Sequence, residues 1–186
     1  FYSICAAQER QNIRTFFMGG QSNMEGLGKV KQLPDSLSGT FTNVYIYQGN
    51  PAPDNDRNGG KGCWEQLGPG HGYGFQSNGR QNYLSKRFGP ELSFAKTLIK
   101  AFPEEKIALI KYARAGSSID SLAADNFGCW DLDQYHKGTM NQYQHFLTTL
   151  EGAMKKADID GDGKPDKLVP SGIVWMQGES DAAFSK

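Results

Sequence analysis

The sequence predicts one layered α/β domain built on a parallel sheet. Three observations lead there. Four short apolar runs of the kind a parallel sheet buries on both faces recur along the chain, and two amphipathic helical stretches separate them. At 186 residues the chain is long enough for one well-buried core and too short for two. Alternation of strand and helix argues for an α/β layered domain with right-handed crossovers.

In chain order, "NIRTFFMGG" (12–20) and "TNVYIYQ" (42–48) are the first two strands. "PELSFAKTLIKAF" (90–102) is a helix: Pro90 suits its first turn, Leu92, Ala95, Leu98, Ile99 and Phe102 form one apolar stripe, and Pro103 stops it. "EKIALIKYA" (105–113) is the third strand. "NQYQHFLTTLEGAMKKA" (141–157) is a second helix with the stripe Tyr143, Phe146, Leu147, Leu150 and Met154, which leaves His145 on a solvated face. "SGIVWMQG" (171–178) carries the fourth strand. From Gly49 to Gly89 the chain holds ten glycines and little periodicity, so residues 49–89 form a Gly-rich loop insertion. Such a segment in a compact domain is either a functional loop or conceals short elements.

Charge and composition exclude some partners. Lysine plus arginine equals aspartate plus glutamate at 20 each, so no field of one sign draws in nucleic acid or an anionic membrane. No apolar run approaches the roughly 20 residues of a membrane span. The first residues, "FYSICAA", look like the end of a secretory signal with a cut near Ala7. Residues 1–11 are therefore a leader remnant or flexible N-terminus before a domain at 12–186, and the protein is expected to be secreted or periplasmic. With Cys5 in the leader, Cys63 and Cys129 remain as an even pair, each in a "GCW" context. A bridge between them would close a long loop worth about 4 kcal/mol; the alternative is two buried free thiols.

In open parallel sheets ligands bind at the carboxyl ends of the strands. Three of the four runs end in small and polar residues together: "GGQSN" (19–23), "RAGSS" (114–118) and "QGESD" (177–181). Glycines let backbone N–H groups approach a ligand, while the adjoining hydroxyls, amides and carboxyls supply nucleophile and orienters. A site shared by the three loops follows. A P-loop reading of the first fails, because Asn23 and Val30 stand where glycine and a hydroxyl residue are needed. A nucleophile elbow fails too, because Met24 replaces its second glycine.

"GGQSNMEG", "FGPELSFA" and "WMQGESDA", in that order, resemble blocks of the SGNH hydrolase superfamily, in its branch of sialate O-acetylesterases and acetylxylan-type carbohydrate esterases. The resemblance implies a flavodoxin-like three-layer α/β/α sandwich with a parallel sheet and a serine esterase that removes O-acetyl groups from sugars, with no cofactor for catalysis. Its partner would be an acetylated carbohydrate, with no nucleic acid and no membrane. Carried over by position, Ser22 is the nucleophile, and the oxyanion is held by the Ser22 N–H, a glycine N–H of the second block and the amide of Gln177. Gly116 is preferred as that glycine; Gly89, which opens a helix, is the runner-up. Gln21, Asn23 and Glu91 would order the serine loop, and Gly178, Glu179 and Asp181 would support the third segment. Trp64, Tyr73, Phe75 and Trp130 come from glycine-rich loops, where exposed rings could stack on sugar faces, but packing of the loop onto the core is the better reading for any single ring.

The same resemblance implies a catalytic histidine in a "DxxH" that follows "QGESD", and no residue here matches it. Asp133 to His136 spells "DxxH" but precedes "QGESD"; His71 is a loop residue. The catalytic Asp and His are expected beyond Lys186, and these residues alone are expected not to deacetylate. The competing reading is a noncatalytic carbohydrate- or calcium-binding module on the same fold.

A separate feature is "DIDGDGKPD" (158–166). Asp158, Asp160 and Asp162 alternate before Gly163, with Asp166 and the carbonyl of Lys164 as further oxygen ligands, a spacing that suits calcium. Val169 stands where an EF-hand would have its glutamate, so the segment reads as a short DxDxDG loop holding a structural Ca2+ and pinning the approach to "QGESD". The alternative is an acidic turn with no ion.

Overall fold

The computed structural model describes residues 10–156 and 158–184. Cys5 and the expected cut near Ala7 lie outside the described residues. Strand β1 (Gln11–Gly20) leads into the short helix α1 (Ser22–Glu25), followed by β2 (Gly28–Lys29), α2 (Asp35–Ser38) and β3 (Val44–Gln48). The Gly-rich stretch conceals β4 (Trp64–Gln66), β5 (Gln76–Ser77), β6 (Asn82–Tyr83) and β7 (Arg87–Phe88). Next come α3 (Glu91–Ala101), β8 (Ile107–Ala113), α4 (Leu132–His136) and α5 (Gln142–Met154). The order closes with β9 (Asp166–Met176) and α6 (Glu179–Ala183).

The main sheet runs β4-β3-β8-β1-β9, with β3, β8, β1 and β9 parallel and β4 antiparallel. The four parallel strands are the four apolar runs. Strand β9 starts at Asp166 rather than Ser171 and takes in Pro170, which has no N–H to give to a ladder. A bulge accommodates it: Thr15 pairs with Pro170 but Phe16 with Gly172, leaving Ser171 as the extra residue.

Side chains alternate across each strand, so the sheet sends two sets of residues to two helical layers. Phe16, Met18, Val44, Ile46, Ile107 and Leu109 pack with Leu92, Ala95 and Leu98 of α3. Their sequence neighbours Phe17, Tyr47 and Ile110 pack with Leu150 and Ala153 of α5. The result is a three-layer α/β/α sandwich.

Helix α3 buries the stripe its sequence predicts, but α5 does not. Its buried residues are Gln142, His145, Thr149 and Ala153, while Met154 is 57% exposed. His145 is thus internal rather than on a solvated face. The cause is the loop, which lies across this helix: Thr149 Oγ1 donates to the Gly60 carbonyl (3.1 Å), Gln142 Nε2 donates to the Ala52 carbonyl (3.0 Å), and His145 Nε2 sits 3.1 Å from the Pro53 carbonyl. Gly60, at φ +77°, comes so close that a Cβ there would lie 2.1 Å from the His145 carbonyl oxygen.

Cys63 and Cys129 are free thiols, so of the two alternatives the free thiols hold, with Cys63 half-buried and Cys129 buried. Their surroundings differ. The Cys63 carbonyl accepts from Asn82 at the sheet edge, whereas Cys129 is buried and its N–H donates to Asp54. No helix among the described residues is long and apolar enough to cross a membrane.

Candidate active site

Strands β8, β1 and β9 are parallel neighbours, and their ends align: Gly20 pairs with Ala113 on one side and Met176 on the other. The three polar loops therefore start side by side. Gly20 is required there, because its φ is +149° and a Cβ would lie 2.0 Å from the Met176 carbonyl oxygen. The chain turns at once, Gln21 N–H donates to that carbonyl (2.9 Å), and half-buried Ser22 opens α1.

Cross-loop hydrogen bonds hold the three segments together. Asn23 Nδ2 donates to the Glu179 carboxylate. Ser180 N–H donates to Gln21 Oε1 (3.3 Å) and Ser180 Oγ to the Gly116 carbonyl (3.0 Å). Gln177 Nε2 donates to the Ser117 carbonyl (2.8 Å). The Asp181 carboxylate accepts the N–H groups of Ile119 (2.9 Å) and Asp120 (2.8 Å). Gly178, at φ +125°, turns the backbone into α6. Gln21, Ser22, Asn23, Gly116, Gln177, Glu179 and Asp181 are thus brought to one place. Sequence reasoning gave Ser180 no role, although it joins all three loops; its position inside "QGESD" was the signal.

Donors remain available at this place. The N–H groups of Ser22 and Gly116 donate to no acceptor among the described residues. The Gln177 amide keeps a second proton beyond the one given to Ser117, and that bond fixes which way the amide points. The Gly89 N–H, by contrast, is committed to Glu91 Oε1 at 2.8 Å. Gly89 instead lets the chain pass behind α1, where a Cβ would meet the Met24 and Glu25 carbonyls at 2.9 and 3.0 Å.

Beneath the serine helix lies a buried ion pair that the sequence reading missed. Lys111 Nζ donates to Glu91 Oε2 (2.6 Å), the His71 carbonyl (2.7 Å) and the Glu25 carbonyl (3.1 Å), with Lys111 and Glu91 both fully buried. Glu91 thereby steadies α1 through Lys111. The signal was a lone lysine inside the apolar run "EKIALIKYA". The Glu25 carboxylate accepts the N–H of Ala115, next to Gly116; burial pushes its pKa up, and that hydrogen bond opposes the shift. Removing one partner of so buried a pair strands a charge, so the network is expected to be rigid.

The histidines are held elsewhere. His71 is buried with Nδ1 3.0 Å from Gln48 Oε1, and burial, with the nearby Lys111 charge, lowers its pKa to about 3. Burial also lowers the pKa of His145. His136 is exposed at the end of α4. None hydrogen-bonds Ser22 among the described residues. Of the four candidate stacking rings, Phe75 and Trp130 are buried and Trp64 packs on Tyr47, which leaves Tyr73 exposed.

The acidic loop sits at the opposite end of the sheet. Asp166 opens β9 and Met176 closes it, a span of roughly 35 Å at strand geometry. The loop therefore adjoins the start of β9 and does not reach "QGESD". Carboxylate oxygens of Asp158, Asp160 and Asp166 lie within 4.8 Å of one another. Asp162 stands apart: one oxygen accepts the Lys164 N–H (2.9 Å) and the other lies 3.4 Å from Lys106 Nζ, which also contacts Asp160.

A parallel sheet between two helical layers, with small and polar loops gathered at its carboxyl ends, is consistent with the SGNH hydrolase fold. The chain belongs to the carbohydrate esterase family of sialic acid-specific acetylesterases, whose family model matches residues 12–186. Among solved structures it resembles NanS, with a TM-score of 0.54 at 18% identity over 97% of this chain and 57% of that one. A protein from Arabidopsis thaliana matches with a TM-score of 0.47 and 18% identity over 90% of this chain and 58% of that one. A carbohydrate acetylesterase from Xanthomonas citri, XAC1771, matches with a TM-score of 0.46 and 15% identity over 90% and 33% of the two chains. The chain thus spans less than two thirds of each of these structures. No curated protein matches it.

Proposed function

We propose that the protein is a carbohydrate esterase that removes O-acetyl groups from sugars through an acetyl-enzyme on Ser22. Family membership supports the reaction class. The observation that carries the site is the set of uncommitted donors at the end of β1: the Ser22 and Gly116 N–H groups and the second amide proton of Gln177. In this reading Ser22 Oγ attacks the acetyl carbonyl, and the oxygen that becomes negative is received by donors already in place. Collapse of the tetrahedral adduct expels the sugar hydroxyl and leaves acetate esterified to Ser22. Water then attacks that ester and restores the serine. Both steps need a base within hydrogen-bond reach of Ser22 or of the water. His71, buried, neutral and bonded to Gln48, is poorly suited to that role, and the family resemblance gives it to the histidine of a "DxxH".

The test is hydrolysis of an aryl acetate and of acetylated sugars by the full-length protein. Ser22→Ala is expected to lower turnover by at least about a thousandfold with an unchanged circular dichroism spectrum. Equal turnover by the folded variant would sink the proposal and leave a noncatalytic binding module as the better account.

A further inference from the structure

We infer that Asp158, Asp160 and Asp166 form a calcium site that fastens the amino-terminal ends of β1 and β9, and that Lys106 is its built-in counter-ion, displaced when calcium enters. The loop is shaped to aim carboxylates inward. Gly161 and Gly163 N–H groups donate to Asp158 (2.7 and 3.0 Å), and Asp162 N–H donates to Asp160 (3.1 Å), fixing both acids in a tight turn. Backbone donors of this kind leave further lone pairs free to converge on an ion.

Asp166 supplies the second, independent observation. It is nine-tenths buried; Oδ2 takes the Ile159 N–H at 2.7 Å, but Oδ1 is buried with no partner. A buried carboxylate oxygen without a partner, on a side chain whose carboxyl group gathers with those of Asp158 and Asp160, is costly unless a cation joins them. Lys106 only partly answers this need. Its ammonium contacts Asp160, Asp162 and Gln11 Oε1 (3.0 Å), and no bond joins it to Asp158 or Asp166 among the described residues.

The donors are all hard oxygens, which favours calcium over zinc or copper, and an irregular loop suits calcium's variable coordination better than magnesium's strict octahedron. An open pocket of about 530 Å³, bordered by Tyr45, Trp64, Asp158 and Asp160, gives an ion its way in. Asp158 and Asp160 lie in the loop before β9 and Asp166 opens that strand opposite Gln11 of β1, so the ion would fix the loop to the amino end of the β1–β9 ladder.

Calorimetric titration of the chelator-treated full-length protein with CaCl2 tests this. The expected result is a calcium site with a Kd of about 1 mM or tighter, a melting temperature that rises as it fills, and much weaker binding of Mg2+. Asp158→Asn should weaken that site at least about tenfold, and Lys106→Met, which removes the competitor, should tighten it several-fold. Absence of binding at about 10 mM calcium, or binding indifferent to Asp158→Asn in a variant with native circular dichroism, overturns the site. Affinity unchanged by Lys106→Met overturns the counter-ion role.

Discussion

The two ends of the sheet have opposite electrostatic characters. At the carboxyl ends of β1, β8 and β9 the loops are tied to one another, yet the N–H groups of Ser22 and Gly116 stay uncommitted. At the amino ends, three carboxylates crowd together and one buried oxygen of Asp166 lacks a donor. Spare donors suit a negative charge that appears during reaction, and spare acceptors suit a resident cation. In the proposed reading the first end serves chemistry and the second holds strands through a bound ion, so disturbing them should have separable effects.

The largest effect is expected at the carboxyl end. Gln177→Ala removes one donor from the cradle, and kcat for acetyl hydrolysis should fall about a hundredfold with KM little changed. A change confined to KM would mean that Gln177 binds substrate rather than the developing charge. Next is acid sensitivity around His71. Its pKa is about 3 in the folded protein against 6.5 unperturbed, so the unfolded chain holds the proton more tightly. Stability from this group is complete above pH 6.5 and drains away as the pH falls towards 3, by up to about 1.4 kcal/mol per unit. Urea midpoints measured from pH 7 to 5 should decline, and His71→Gln should flatten the decline. His145, also shifted down, adds to it with the same sign. The smallest effect is at the amino end, where Asp158→Asn should leave kcat/KM within about twofold, because a distant independent site does not couple to the cradle. A large loss there would join the two ends into one system.

Much of this arrangement was legible in the sequence. Strands β1, β3 and β8 declared themselves because burial in the middle of the sheet demands near-continuous apolar runs, edge strand β9 was visible by its apolar residues although Ile173 and Trp175 are exposed, and α3 showed because Leu92, Ala95 and Leu98 face an apolar layer. Helix α5 was misread for the complementary reason: its buried face meets the backbone of the Gly-rich loop, so Gln142, His145 and Thr149 are polar where a stripe would be apolar. Periodicity cannot reveal a face whose partner is a set of carbonyls. The short strands β4 to β7 were invisible because two or three residues carry no period; β5 and β6 pair with each other locally, while β4 pairs with β3 and β7 with distant β2. The loop-borne site was visible through its place after each strand. Its ties, Asp181 to Ile119 and Asp120 or Lys111 to the Glu25 carbonyl, join residues dozens of positions apart and left no local mark.

The most direct test of the account is to catch the acetyl group in transit. Full-length protein mixed with an aryl acetate, quenched in acid within the first turnovers and digested for mass spectrometry, should carry one acetyl group on the peptide that contains Ser22, and Ser22→Ala should carry none. Continued turnover with no acetylated Ser22 peptide, or with the acetyl group on another side chain, would contradict it.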